Sequence, residues 1–245
     1  MLPAAMDPSQ HGHDSGEPVS AQTITIPIKF EEISCTICGN FQLLRETSNT
    51  VVALLHLDHA SSNQIARFRG VTGYDSDAHE QPGNLHKTTT SVTKVIVKSF
   101  KDVQVFSDEV EAYRRMRSIQ GTIVPDFYGP GEVDGLPSIV LEYIVGYDLC
   151  TYQTTLENLP KLARAVENCS VAIAKCGVVQ WDPRLDGVIV VRPPTPWLTI
   201  KMIDFSHVEF DKSFAIGMSK GGSNFLIRRY AELMGWSWSI NAKDY

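Results

Sequence analysis

The chain has 245 residues, of which 43% are hydrophobic and 20% charged, and its formal net charge at pH 7 is −6. This composition excludes a disordered chain, and the length suits one sizeable domain or two small lobes that share a cleft. An acidic balance argues against nucleic acid or an anionic membrane as the partner, and no stretch approaches the roughly 18 apolar residues that cross a bilayer. We therefore expect neither class of partner.

The N-terminal residues 1–20 are rich in Pro, Gly, His, Asp and Ser and contain no basic or apolar run. They are predicted to form a disordered tail, and we do not expect them to form a signal peptide. The five cysteines are an odd number and are spread along the chain, which indicates a reduced intracellular protein rather than a disulfide framework. We expect the cytoplasm, with the nucleus as the alternative.

The first half of the chain reads mostly as short strands. Gly39-Asn40 is predicted to be a turn, and residues 72–91, rich in Gly, Asp, His, Ser and Thr, are predicted to form a long polar loop. Alternation and β-branched residues predict five strands around these two features: 23–26, 30–37, 41–45, 51–57 and 92–100.

The second half mixes helix and strand. Apolar residues at three- and four-residue steps predict helices over 106–119 and 156–175. The predicted strands form two pairs along the chain: 127–128 with 138–143, and 188–191 with 198–203. Strands followed by a mixed segment are typical of an α+β protein with two lobes.

Two segments offer groups that a nucleotide requires. In Val95-Ile96-Val97-Lys98, alternation places Lys98 at the end of a buried strand, where its ammonium can hold phosphate oxygens if an anion orients it. The helix that follows offers Glu109 and Glu111 as that anion, and Glu109 is the preferred partner because it lies on the helix edge that faces the sheet. A buried strand ending at Glu142 then runs into a connector at Ile144, whose backbone N–H and C=O groups suit an adenine edge.

Two carboxylates follow later in the chain. Asp182 lies in a loop between a helix and a strand, where it can accept a hydroxyl proton. Asp204 ends a short apolar strand, where a hard oxygen ligand can hold Mg²⁺. The two strands between them form a natural hairpin, so we expect both carboxylates to open onto one site.

In this order the segments resemble the protein-kinase superfamily. Val-Ile-Val-Lys98 is similar to the family's V-A-I-K, Glu142-Tyr143 to its hinge, Asp182 to its catalytic-loop aspartate, and Asp204-Phe205 to the start of D-F-G. The match covers roughly residues 92–210, and the run beginning at Glu109 is also similar to short kinase-like proteins of filamentous fungi.

The resemblance implies an α+β, protein-kinase-like two-lobed fold. The β-rich N-terminal lobe is expected at 21–143 and a truncated helical C-terminal lobe at 144–245. The resemblance also implies ATP and Mg²⁺ as cofactors. Lys98 and Glu109 would then serve the phosphates, Glu142 and Ile144 the adenine, Asp204 the metal, and Asp182 the chemistry together with Lys98.

The departures from the family predict weak or absent phosphoryl transfer. No G-x-G-x-x-G precedes Lys98, and the 41 residues after Asp204 leave little room for the family's activation segment. Three other positions differ from the family's motifs: Gln180-Trp181 replaces His-Arg, Gly187 replaces the metal-binding Asn, and Ser206 replaces the D-F-G glycine. Two alternatives stay open: an inactive pseudokinase that binds or regulates a protein partner, and a β-rich interaction protein without a nucleotide site.

A second group of residues has the composition of a zinc site. Cys35-Thr-Ile-Cys38 is followed by His56-Leu-Asp-His59, and two thiolates with two imidazoles satisfy tetrahedral Zn²⁺. Strand alternation explains the cysteines equally well, so the sequence leaves zinc binding open here.

Overall fold

The computed structural model describes residues 22–30, 33–72, 92–192, 198–211 and 213–236. The predicted tail at 1–20 lies outside the described residues, as does the predicted loop at 72–91 apart from its first residue, Thr72. Among the described helices, none is both long enough and apolar enough to cross a membrane.

Six antiparallel strands close into a barrel. The strands are β1 (Gln22–Phe30), β2 (Ile33–Glu46), β3 (Thr50–Leu57), β4 (Lys94–Phe100), β5 (Phe127–Val133) and β6 (Leu136–Glu142). Their order around the barrel is β1-β2-β3-β4-β6-β5. The barrel closes where Ile28 of β1 pairs with Gly131 of β5. A Cβ added at Gly131 would lie 2.7 Å from the carbonyl oxygen of Pro27, so the closing contact requires a residue without a side chain.

Alternation along the strands separates two cores. Every second residue points to the same face of a strand, and Val95 and Val97 of β4 join a buried cluster with Ile26, Ile28 and Leu55 from neighbouring strands. Ile96 and Lys98 of β4 therefore point to the opposite face of the sheet, toward the second and larger core.

Two helices are inserted between the strands of the barrel. Helix α1 (His59–Thr72) follows β3, and helix α2 (Val103–Arg115) follows β4. Asp102 caps α2 because its Oδ1 accepts hydrogen bonds from the N–H groups of Gln104 and Val105, at 2.7 and 3.3 Å. The buried face of α2 includes Glu109, which brings a carboxylate to the outer face of the barrel.

The remainder of the chain adds short strands and two longer helices. The elements in chain order are β7 (Gly146–Asp148), α3 (Leu159–Lys175), β8 (Val179–Gln180), β9 (Val188–Val191), β10 (Ile200–Met202), β11 (Val208–Glu209) and α4 (Ala215–Leu233). Strands β9 and β10 form the predicted hairpin, β7 extends it into a three-stranded sheet, and β8 pairs with β11.

The closed barrel shows that the expected fold is wrong. The chain does not form a two-lobed kinase-like fold with a helical C-terminal lobe: its first six strands form a closed antiparallel barrel, and the described residues contain four α-helices. The part after Glu142 contributes five short strands in two small sheets as well as two of those helices. The motifs report local strand positions, but they carry no information on whether the two edges of a sheet pair with each other.

One local prediction is wrong, and one helix was not predicted. Gly39-Asn40 is not a turn, because Gly39 lies within β2 and pairs with Ile24 on one side and Leu57 on the other. A Cβ at Gly39 would collide with the backbone carbonyl of His56, so the glycine permits close strand approach. The sequence also gave no prediction of α1, whose first turn is capped by Asp58 through a 2.7 Å hydrogen bond from the Ser61 N–H.

Candidate functional site

A cavity of about 460 Å³ lies between the outer face of the barrel and the segments that follow Glu142. Its apolar wall includes Val52, Ile96 and Leu141 from the barrel and Ile189 and Ile203 from the later hairpin. The six residues that the sequence singles out as site residues all line this one cavity: Lys98, Glu109, Glu142, Ile144, Asp182 and Asp204.

The ammonium group of Lys98 lies between two carboxylates from distant parts of the chain. Lys98 Nζ is 2.7 Å from Glu109 Oε2 and 2.6 Å from Asp204 Oδ1. The lysine side chain is only 9% exposed, so this charge is almost removed from water. Burial alone would lower the pKa of Lys98, but the two carboxylates outweigh it and hold the pKa above the ordinary lysine value. The lysine therefore stays cationic.

Glu109 is the buried member of this group. Its side chain is 0% exposed and reaches Lys98 from the inward face of α2. Burial raises the pKa of Glu109 above its ordinary value, although Lys98 opposes the change. A fully buried carboxylate is stable only beside a cation, so Glu109 fixes the position of Lys98 and is not itself open to a ligand.

Asp204 is the accessible member of the group. Its side chain is 40% exposed, and its Oδ1 also accepts a 2.8 Å hydrogen bond from Ser206 Oγ. Burial acts to raise the pKa of Asp204, but Lys98 and Ser206 outweigh it and lower the pKa. The carboxylate is therefore ionised at neutral pH and reachable from the cavity.

The backbone of Asp204 has an unusual conformation, and a hydrogen bond from Gln180 stabilises it. Its φ of 65° lies in the left-handed region, which Asp tolerates better than most residues. Gln180 Nε2 donates a 2.6 Å hydrogen bond to the Asp204 carbonyl oxygen. The pairing of Val208 with Gln180 brings these segments together, so Gln180 secures the turn that aims the Asp204 side chain.

Asp182 lies in the loop between β8 and β9. It follows β8 after Trp181, is exposed and lines the cavity. The β9–β10 hairpin separates it from Asp204 along the chain, as predicted, and both carboxylates line the one cavity. Gly187 at the start of this hairpin is buried, and a Cβ there would lie 3.3 Å from the Ile203 carbonyl oxygen. This position offers no side-chain ligand to a metal.

Glu142 has a structural partner that the sequence did not reveal. Lys201 Nζ lies 2.6 Å from Glu142 Oε2, and the lysine side chain is 7% exposed. The same oxygen accepts a 3.1 Å hydrogen bond from the Asp126 N–H. The Glu142 side chain thus ties the end of β6 to β10, while the connector residues Tyr143 and Ile144 line the cavity.

Three charged residues of the cavity were not identified from the sequence. Arg45 near the end of β2 lies 2.8 Å from Asp186 Oδ2, and Arg184 contacts the same carboxylate at 3.1 Å. The hairpin turn between β2 and β3 contributes Thr47, Ser48 and Asn49, without a glycine, to the cavity wall.

The structure does not bring the four zinc-like residues together. In the described part of the chain, no group of three or more His, Cys, Asp or Glu side chains is placed to hold a metal ion. Cys38 contacts Thr25, with Sγ and Oγ1 3.4 Å apart, and His59 contacts Asn63. Cys35, Cys38, His56 and His59 therefore act as separate strand and helix residues in this fold.

No protein-family model matches the sequence, and no curated protein matches it at a significant level. What the chain does must therefore be argued from the cavity, its charges and its accessible groups.

Proposed function

We propose that the cavity binds ATP together with Mg²⁺ and that the chain is kinase-like in its chemistry, although not in its fold, with weak or no phosphoryl transfer. The observation that carries the proposal is the position of Lys98 Nζ, within 2.7 Å of a fully buried carboxylate and 2.6 Å of an accessible one. A buried, oriented ammonium beside an accessible carboxylate suits a phosphate oxygen and its bound metal ion.

The charge of the cavity wall supports a requirement for the metal. Three permanent cations line it, Arg45, Lys98 and Arg184, against five carboxylates, so a polyphosphate alone would meet net negative charge. Mg²⁺ commonly uses one or two protein carboxylates and completes its shell with phosphate oxygens and water. Asp204 can supply such a ligand, since its carboxylate is ionised and 40% exposed.

The apolar wall supports binding of a flat base. Val52, Leu141 and Ile203 lie on the surface of the cavity, which the connector residues Tyr143 and Ile144 also line. Ligand pockets typically combine such apolar surface with a few polar groups that fix orientation. In this proposal the adenine packs on the apolar side chains, and its polar edge pairs with the backbone of the connector.

The groups of the cavity suit nucleotide binding better than phosphoryl transfer. Asp182 lines the cavity and is exposed, so it can act as a base toward a hydroxyl group. Phosphoryl transfer depends on positioning and charge stabilisation, and Gly187 removes one oxygen ligand that would hold a second metal ion. We infer slow transfer or none, with nucleotide binding as the retained property.

Thermal denaturation with and without ATP and Mg²⁺ tests the proposal. Ligand at 100 times its Kd stabilises a protein by about 2.7 kcal/mol, which is about 5–10 °C in Tm for a chain of this size. We expect this shift with ATP and Mg²⁺, a much smaller one with ATP and a chelator, and none for Lys98→Ala or Asp204→Ala. Lys101→Ala is the matched control, because Lys101 pairs with Glu46 on the same barrel and does not line the cavity.

A transfer assay with radiolabelled ATP separates the remaining alternatives. Label transfer that disappears in Asp182→Asn would show an active phosphotransferase. A shift without transfer would identify a pseudokinase that acts by binding. No shift in the wild-type chain would contradict the proposal and favour a β-rich interaction protein without a nucleotide site.

We also propose a reducing compartment, the cytoplasm, as the location of the protein. All five cysteines are free in the structure, and Cys169 is buried with a pKa raised to about 12, which leaves it unreactive. A tagged chain is expected in the cytosolic fraction of its host cell. Recovery with secreted material would contradict a reducing compartment, and recovery with nuclei would select the alternative location, the nucleus.

A further inference from the structure

Three charged side chains at the cavity form a compact group. The Asp186 carboxylate receives two contacts from Arg184, Nε to Oδ1 and Nη2 to Oδ2, both at 3.1 Å. Arg45 reaches it from the barrel, with Nη1 2.8 Å from Oδ2. All three residues line the cavity, and two guanidinium groups therefore share one carboxylate, which leaves one positive charge in excess.

A β-bulge places Arg45 on the same wall as Lys98. The pairing of β2 with β3 shifts between Leu43 and Arg45, so that Arg45 lies opposite Val52. Val52 in turn lies opposite Lys98. Residues directly opposite each other share one face of a sheet, and without the extra bulge residue Arg45 would face the other way.

The separation of the strands that carry the two cations suits a polyphosphate. Arg45 and Lys98 stand two strands apart, which is about 10 Å between their backbones at ordinary strand spacing. Their long side chains both line the same cavity. Guanidinium groups bind phosphate and carboxylate with the same paired geometry, so a ligand phosphate and the Asp186 carboxylate compete for the same donors.

The existing contacts are weak enough to exchange. The side chains of Arg45 and Arg184 are 49% and 48% exposed, and that of Asp186 is 28% exposed. Exposed ion pairs contribute about 0–1 kcal/mol. A phosphate that carries a larger charge than a carboxylate can therefore displace Asp186 from Arg45 at little cost.

We infer that Arg45 and Arg184 form an anion subsite for the terminal phosphate of the nucleotide, and that Asp186 occupies this subsite as an internal competitor when no ligand is bound. The nucleotide as the ligand rests on the proposed function. The subsite itself requires only a polyphosphate. Arg45 thus takes the place of a glycine-rich phosphate loop, and it favours nucleoside triphosphates over nucleosides.

Calorimetric titration of four variants tests this inference through the sign of each effect. Arg45→Gln should weaken binding of ATP with Mg²⁺ by about tenfold or more, the lower end of the range of one charged hydrogen bond. Asp186→Asn should strengthen it by about threefold or more, because the competitor is gone. Lys101→Gln and Glu46→Gln are the charge-matched controls from the same barrel, since neither residue lines the cavity, and each should change the Kd less than twofold.

Two further measurements separate competition from a general change in charge. In the Arg45→Gln background, Asp186→Asn should give a clearly smaller gain than in the wild type. Adenosine should bind all variants equally, because it carries no phosphate. If both single variants weaken ATP binding, or neither changes it beyond the controls, the pair is only a structural contact and the inference is overturned.

Tripolyphosphate with Mg²⁺ distinguishes failure of the inference from failure of the proposed function. If the wild-type chain binds no ATP but binds tripolyphosphate with the same opposite effects of Arg45→Gln and Asp186→Asn, the subsite stands and the nucleotide is wrong. If neither probe binds, both proposals are overturned.

Discussion

Replacing Lys98 with Met removes the cation that separates two carboxylates while keeping most of the side-chain volume. Glu109, with 0% exposure, would then be a buried anion without its partner, and Asp204 would face it across the vacated space. Breaking a buried ion pair by deleting one partner costs about 3–5 kcal/mol. We expect the free energy of unfolding to fall by about that amount.

The double substitution is expected to restore part of the stability that Lys98→Met loses. Lys98→Met with Glu109→Leu replaces both buried charges by apolar groups, and such exchanges are often neutral or stabilising. Glu109→Leu alone leaves Lys98 beside Asp204, whose 40% exposure reduces the loss. The double variant should therefore be more stable than Lys98→Met alone, by about 2 kcal/mol or more.

Urea denaturation followed by circular dichroism and tryptophan fluorescence measures these free energies, and agreement of the two probes checks for a two-state transition. Equal stability of Lys98→Met and the wild type would show that Glu109 is not buried beside Lys98. Additive losses in the double variant would show that the two side chains do not interact. Either result would refute the geometry from which the site is argued.

The same variants have a defined pH dependence. In the wild type the folded pKa of Lys98 is raised, so its stabilising contribution is complete below its unfolded pKa of about 10.4 and is lost as the pH rises through the higher folded value. In Lys98→Met, loss of the cation raises the pKa of Glu109 further, so that lowering the pH protonates Glu109 and removes the unpaired charge. The difference in free energy of unfolding between the wild type and Lys98→Met should therefore decrease as the pH is lowered. A difference that does not change with pH would contradict this.

Further predictions concern the barrel and the turn at Asp204. Gly131→Ala should destabilise the chain by about 1–3 kcal/mol, because its Cβ would meet a carbonyl oxygen at 2.7 Å. Gly217→Ala has open space around it in α4 and should stabilise the chain by up to about 1 kcal/mol. Equal effects of the two variants in a urea titration would argue against closure of the barrel. Gln180→Ala removes the 2.6 Å hydrogen bond to the left-handed Asp204 backbone and should lower stability by about 1–2 kcal/mol. Calorimetry should also show a weaker Mg²⁺ dependence of ATP binding in this variant, and an unchanged dependence would mean that Gln180 does not position Asp204.

Local periodicity was sufficient to place most of the candidate site. Alternation in β4 correctly put Lys98 on the face opposite Val97, and three- and four-residue spacing in α2 correctly turned Glu109 inward. The hairpin of β9 and β10 was predicted from its two apolar runs. These features depend on residues close in sequence, which is why a single sequence could reveal them.

The remaining features depend on distant pairings or on breaks in periodicity. Closure of the barrel joins Ile28 to Gly131, and neither residue carries a local signal for that pairing. Arg45 was missed because strict alternation assigns it to the wrong face, and the bulge that reverses this is visible only in the paired strands. Helix α1 lacks an apolar stripe, and only Asp58, its capping residue, could have indicated where it begins.

An acyl-phosphate analogue of ATP tests the central claim most directly, because it acylates a lysine that lies beside the phosphates of a bound nucleotide. Mass spectrometry of the digested chain then identifies which lysine reacts. We predict labelling at Lys98 that excess ATP with Mg²⁺ suppresses and that Asp204→Asn reduces. Labelling of exposed lysines such as Lys101 and Lys220, with no protection by ATP, would contradict a nucleotide site in this cavity.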